Sequence, residues 1–169
     1  MILKRFLLLS FCFISMSCYC NAQKLIFTSE GMRSSEDPSS EFVEYKASKD
    51  QTDFLWDYTK KKLSSGVDFF SYTIDYIGDD KIRISGYIDG ASMLVFGKTE
   101  ISFSLLMEFD AYKVRVGAEL SKSNGKPLKY GLLFSKKTGK VRLAAPKNKI
   151  EEDINRLINK ILGDAVVIQ

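Results

Sequence analysis

Hydrophobic and polar residues alternate most regularly between Thr99 and Leu120. Ile101, Phe103, Leu105, Met107 and Phe109 are interleaved with Ser102, Ser104 and Glu108. After Asp110-Ala111 the alternation resumes, with Tyr112, Val114, Val116, Ala118 and Leu120 set against Lys113, Arg115, Gly117 and Glu119. Period two on both sides of a two-residue break predicts a β-hairpin with one buried face. Asp110-Ala111 is a weak tight turn, because Ala resists positive φ, and a slightly longer turn fits as well.

The segments around this ribbon predict elements that cover and extend it. Lys24 to Thr28 reads as a strand, and Phe42 to Tyr45 as another. Between them, Ser29 to Ser40 is rich in Ser, Glu and Asp, contains Pro38, and reads as a mobile connection. Ser48-Lys49-Asp50-Gln51 has the form of a capping box opening a helix, with Phe54, Leu55, Tyr58 and Leu63 at helical spacing. Lys60 to Lys62 sit where the helix dipole favours cations, and Ser64-Ser65-Gly66 ends the helix. Trp56 falls off that stripe, which suits either a flanking contact under a loop or an exposed anchor for a partner.

Val67 to Ile77, with Phe70, Tyr72, Ile74 and Tyr76 on one side, and Lys81 to Ile88 are predicted strands joined by the turn Gly78-Asp79-Asp80. Gly90 to Gly97 is an apolar connection, either an extension of a sheet edge or a packed loop, or an exposed patch for a partner. Beyond the hairpin, Ser123 to Pro127 is turn chemistry, and Leu128 to Phe134 and Lys140 to Ala144 read as two short strands broken by Lys137-Thr138-Gly139. Asn148 is the expected cap of a last helix, with Glu151, Glu152 and Asp153 in its first turn. Ile150, Ile154, Leu157, Ile158, Ile161 and Leu162 form one apolar stripe, and Gly163 is a natural stop. The tail from Ala165 to Gln169 is apolar enough to pack or to add an edge strand. This order predicts an α+β fold, an antiparallel sheet with helices packed on one face.

Composition changes that picture mainly at the N-terminus. Lys4-Arg5, the apolar run Phe6 to Met16 and the small residue closing Cys20-Asn21-Ala22 form a signal peptide, with cleavage expected after Ala22. The remaining chain then divides into an N-terminal strand and mobile connection, residues 23–41, and a single α+β domain, residues 42–169. Cys12, Cys18 and Cys20 all lie in the export segment, so the mature chain would have no disulfide or thiol chemistry. Ser15-Met16-Ser17-Cys18 supports an alternative, an outer-membrane lipoprotein anchored through an acylated Cys18. No later run is long enough to be a transmembrane helix.

Past residue 22 the chain has 23 basic and 21 acidic residues, too balanced for a dedicated nucleic-acid binder. It has no histidine, which removes Ser-His-Asp and Cys-His catalysis, His-based zinc sites and a histidine pH switch. Gly97-Lys98-Thr99 is not the end of a P-loop, since position 92 is Ser and the segment feeds a strand. Asp75, Asp79 and Asp80 lack calcium-loop spacing and read as a solvated turn. No carboxylate pair is marked out by its neighbours, and no metal or cofactor is predicted.

Four cations stand out instead. Alternation places Lys81 and Arg83 opposite Ile82 and Ile84, and Lys113 and Arg115 opposite Tyr112 and Val114. With the apolar faces turned to the helices, Lys81, Arg83, Lys113 and Arg115 share the exposed sheet face, with few acids expected between them. They are either solubility decoration, paired across strands with Glu108 and Glu119, or a shallow site for an acidic partner.

Lys46 to Gln51, Asp80 to Gly86, and Ser102 to Glu108 followed by Asp110, Tyr112, Lys113, Val114 and Arg115 resemble an exported bacterial family, domain of unknown function family 4468. The order Asp110-Ala111-Tyr112-Lys113 departs slightly from its pattern, and the resemblance covers residues 42–121. It implies export and a TATA-binding-protein-like fold, transfers no catalytic residue, and implies nothing about DNA. The expectation is an exported non-catalytic cell-envelope module binding a protein or an acidic surface polymer through its open sheet face. The alternatives are an envelope hydrolase or transferase with an unmarked carboxylate site, and a lipid-anchored structural accessory.

Overall fold

A computed structural model describes residues 23–67, 71–88 and 100–163. The expected signal peptide with Cys18, Phe70, the apolar connection 90–97 and the tail 165–169 lie outside the described residues.

The central ribbon pairs as the alternation requires, but its turn lies one residue beyond the expected Asp110-Ala111, and Tyr112, expected on the buried face, is an exposed turn residue. β6 (Ile101–Asp110) and β7 (Lys113–Ser123) pair antiparallel, with Asp110 opposite Lys113, so that Ala111 and Tyr112 make the turn. Neither turn residue has positive φ, and the Asp110 carboxylate accepts from the Ala111 amide at 2.7 Å. β5 (Lys81–Ile88) and β4 (Tyr72–Ile77) extend the sheet on one side of the ribbon, and β3 (Phe42–Lys46) borders β7 on the other. The order is β3-β7-β6-β5-β4, all antiparallel. β8 (Lys126–Pro127) folds back on the end of β7 through Asn124-Gly125, both at positive φ as a tight hairpin turn demands.

The helices α1 (Lys49–Ser64) and α3 (Ala144–Leu162) pack on one face, giving an α+β fold with a helix-covered antiparallel sheet. Ile82, Ile84, Ile88, Phe103, Leu105, Met107, Val114 and Val116 supply the sheet's share of the core. The expected α3 stripe is buried in full, from Ile150 to Leu162. Ser48 and Gln51 make the expected capping box at the start of α1. The buried stripe of α1, however, is Thr52, Leu55, Thr59 and Leu63, while Phe54 is exposed and stacks on Tyr58. Trp56 takes the flanking role, edge-on to Phe109 at 5.2 Å.

β4 starts at Tyr72, not at Val67 as expected, and three further segments differ from the sequence reading. The stretch read as a mobile connection contains β2 (Gly31–Ser34), which pairs with β1 (Leu25–Thr28) as a separate ribbon. Two strands were expected across residues 128–144, but the chain there forms the single turn α2 (Tyr130–Leu133) and one bridge, Phe134 to Val141. Finally, α3 starts at Ala144 rather than at Asn148, with no side-chain cap and with Pro146 in its first turn, where a missing N–H costs nothing.

Candidate functional site

The register of the sheet decides what the four cations do. One row across the uncovered face runs Lys81, Glu108, Arg115 and Glu44 over β5, β6, β7 and β3. Glu108 receives Lys81 Nζ at 3.0 Å on one oxygen and Arg115 Nη2 at 2.5 Å on the other. Lys113 reaches diagonally to Glu44 at 3.0 Å. Lys81, Arg83, Lys113 and Arg115 therefore do share one face, but acids are interleaved among them, contrary to the expectation of few. Three of the four are committed to carboxylates on neighbouring strands.

Arg83 is the exception. It is exposed, lies in register with Asp75 on one side and Leu106 on the other, and forms no ion pair with a described residue. Its row continues through Leu106 and Gly117 to Phe42. Gly117 has a steric reason to be there: a Cβ would stand 2.9 Å from two ring atoms of Phe42 and 3.1 Å from the Glu41 carbonyl oxygen. The bare backbone lets the Phe42 ring lie across the sheet, where the Arg115 guanidinium sits 5.6 Å from its centroid.

Beside this ring is a groove of about 680 Å³. Its floor is Arg83, Ser104, Leu106 and Gly117, and Glu119 and Phe42 flank it. The β1–β2 ribbon forms a wall from Glu30 to Arg33. Arg33 bridges the wall to the sheet edge, 3.2 Å from Glu41 and 3.9 Å from Glu30. Tyr130 closes one end, and its hydroxyl donates to the Leu120 carbonyl at 3.1 Å. Burial holds that phenol above its ordinary pKa, Glu119 pushes the same way and Arg33 opposes. The groove thus presents one guanidinium, Arg83, without an ion-pair partner among the described residues, over Ser104, Leu106 and Gly117, with the carboxylates of Glu30, Glu41 and Glu119 also in its lining.

Among the described residues no group of three or more His, Cys, Asp or Glu side chains is gathered to hold a metal ion. No described helix is long and apolar enough to cross a membrane. Comparison of the sequence with protein-family models and with curated proteins finds no match.

Sequence reasoning found Arg83 but missed the groove around it. Phe42, Ser104 and Leu106 read only as strand residues, and Glu119 as a cross-strand partner for the cations, an ion pair it does not make with a described residue. The available signal was Gly117, a glycine inside an otherwise regular strand, which marks close approach by another group. The wall from Glu30 to Arg33 left no signal, because its strand was hidden in a polar, turn-like stretch.

Proposed function

We propose that this chain is an exported, non-catalytic cell-envelope module that binds an acidic protein segment or surface polymer through the groove of its open sheet face. One observation carries the reading. Of the four cations on that face, only Arg83 is left without a carboxylate partner among the described residues, and it lies in the floor of the groove. The export step rests on residues 1–22, with acylation of Cys18 as the alternative route to the envelope. Kinship to the exported family, and its TATA-binding-protein-like fold, belong to the same proposal and stand on the motif residues between 42 and 121.

A photo-crosslinker placed at Ser104 and activated in intact cells tests the binding surface. A discrete adduct is expected from Ser104, and Arg83→Glu should remove it while leaving the melting temperature nearly unchanged. An adduct that persists undiminished in the Arg83→Glu background places the binding surface elsewhere.

A further inference from the structure

The balanced overall charge conceals a strongly uneven distribution. Residues 120–150 contain nine Lys or Arg and no Asp or Glu, while the rest of the chain past residue 22 holds 14 basic and 21 acidic side chains. Lys147 and Lys149 are spent within α3, on Glu151 and Asp153. The other seven are exposed and make no ion pair with a described residue. Lys122 and Lys126 flank the β7–β8 turn, and Lys129, Lys136, Lys137, Lys140 and Arg142 follow around α2 and the bridge to α3.

The backbone beneath them is fixed. The Phe134–Val141 bridge closes the loop between, the Ser135 amide donates to the Lys140 carbonyl and the Gly139 amide to the Ser135 carbonyl, both at 2.8 Å. Phe27 of β1 meets the rings of Tyr130 and Phe134 edge-on at 5.5 and 5.3 Å and ties the segment to the core. Lys129, Lys136, Lys137 and Arg142 surround a groove of about 610 Å³ floored by Tyr130 and Gly131. The Lys136 stem lies close over Gly131, 3.1 Å from where a Cβ would stand, and Arg142 donates to the Gly131 carbonyl at 3.3 Å.

We propose that this face docks on an anionic phospholipid bilayer, with the lysines against the headgroup phosphates. Charge complementarity carries the inference: a segment with seven exposed cations and no acid of its own, with Glu100 and Glu119 only at its margins, is drawn to an anionic leaflet. The details favour a bilayer over a soluble polyanion. Six of the seven cations are lysines, point charges on flexible stems suited to a diffuse layer of phosphates rather than to one fixed anion. Val141 is 44% exposed between Lys140 and Arg142, an aliphatic side chain placed to enter the headgroup boundary. Among the described residues of the segment no aromatic side chain is exposed on which a base could stack. The acidic remainder of the molecule orients it, because an anionic surface repels that part.

The test is sedimentation of the chain from Gln23 onward with vesicles of phosphatidylcholine alone or of an equal mixture with phosphatidylglycerol. Binding is expected only to the mixed vesicles at low salt, and it should vanish near 1 M salt, where the screening length falls to about 3 Å. The triple reversal Lys136→Glu, Lys137→Glu and Lys140→Glu should weaken binding by about tenfold or more, since each lysine near the surface contributes separately. Reversal of Lys61 and Lys62 on α1 should leave it unchanged, and circular dichroism should show both variants folded. Equal binding to neutral vesicles, no binding to mixed ones, or equal loss in the α1 variant overturns the proposal. So does tight capture of soluble polyphosphate by a protein that ignores the mixed vesicles.

Discussion

A carboxylate in the middle of a sheet keeps its charge only where cations and donors replace the water it has lost. Glu108 is in that position, its side chain 12% exposed, with Lys81 on one oxygen and Arg115 on the other. Arg115 is itself held by that ion pair and by the place of its guanidinium over Phe42, against the cost of an Nε buried without a hydrogen-bond partner. Truncating it should leave the carboxylate with Lys81 alone. Arg115→Ala is therefore expected to cost about 1–3 kcal/mol, the usual penalty for a buried group losing a partner. Arg83→Ala should stay within about 0.5 kcal/mol, as for an exposed residue without such contacts. Urea midpoints of the two variants check the contrast, and equal midpoints would mean Glu108 is sufficiently held by Lys81. Alternation was enough to place all four cations on one face. It could not tell Arg83 from Arg115, because their partners depend on register: Lys81 faces Glu108, whereas Arg83, two residues on, faces Leu106.

At the scale of elements, long periodic segments were legible and short ones were not. The α3 stripe repeats over three turns, so its buried face could be read residue by residue, and Ile154, Leu157, Ile158 and Ile161 are all buried. Ile158→Ala is expected to cost about 2–5 kcal/mol in denaturant melts, the range for truncating a buried aliphatic side chain. A cost below about 0.5 kcal/mol would show that the helix is peripheral. The start of α3 was misread because Asn148 and the acids after it have the form of a cap, while Ala144-Ala145-Pro146 carries no capping side chain. Those acids serve other partners: Asp153, with its side chain 3% exposed, holds Lys149 and Arg156, and Glu151 holds Lys147 and the Phe27 amide. In α1 the difficulty was the reverse. Two threonines, Thr52 and Thr59, occupy the buried stripe, and hydrophobicity alone pointed to Phe54 instead.

Across the whole molecule, the feature no local pattern could reveal is where the β1–β2 ribbon docks, since its contacts join residues more than a hundred positions apart. β1 pairs with β2 along one edge, which leaves the amides of Leu25 and Phe27 on the other edge without strand partners. An unpaired edge must be covered or satisfied, and here the side chains of α3 do it. The Asn155 carboxamide accepts from the Leu25 amide at 2.9 Å and donates to the Leu25 carbonyl at 2.8 Å, and Glu151 accepts from the Phe27 amide at 2.6 Å. The clamp sets one wall of the sheet groove and the position of Phe27 under the basic segment, so both surfaces depend on it. In Asn155→Ala the donor and acceptor of Leu25 lose their partner, and the ribbon should open locally by about 1–3 kcal/mol more readily. Amide hydrogen exchange at Leu25 and Phe27 should then accelerate about 5- to 150-fold, 1.4 kcal/mol being one factor of ten. Exchange at Leu105 and Val116, in the middle of the sheet, should keep its native rate. Acceleration of all four alike would show instead that the ribbon and the sheet unfold as one unit. Unchanged exchange at Leu25 would mean that burial of Leu25, Phe27 and Met32 holds the ribbon without the help of Asn155.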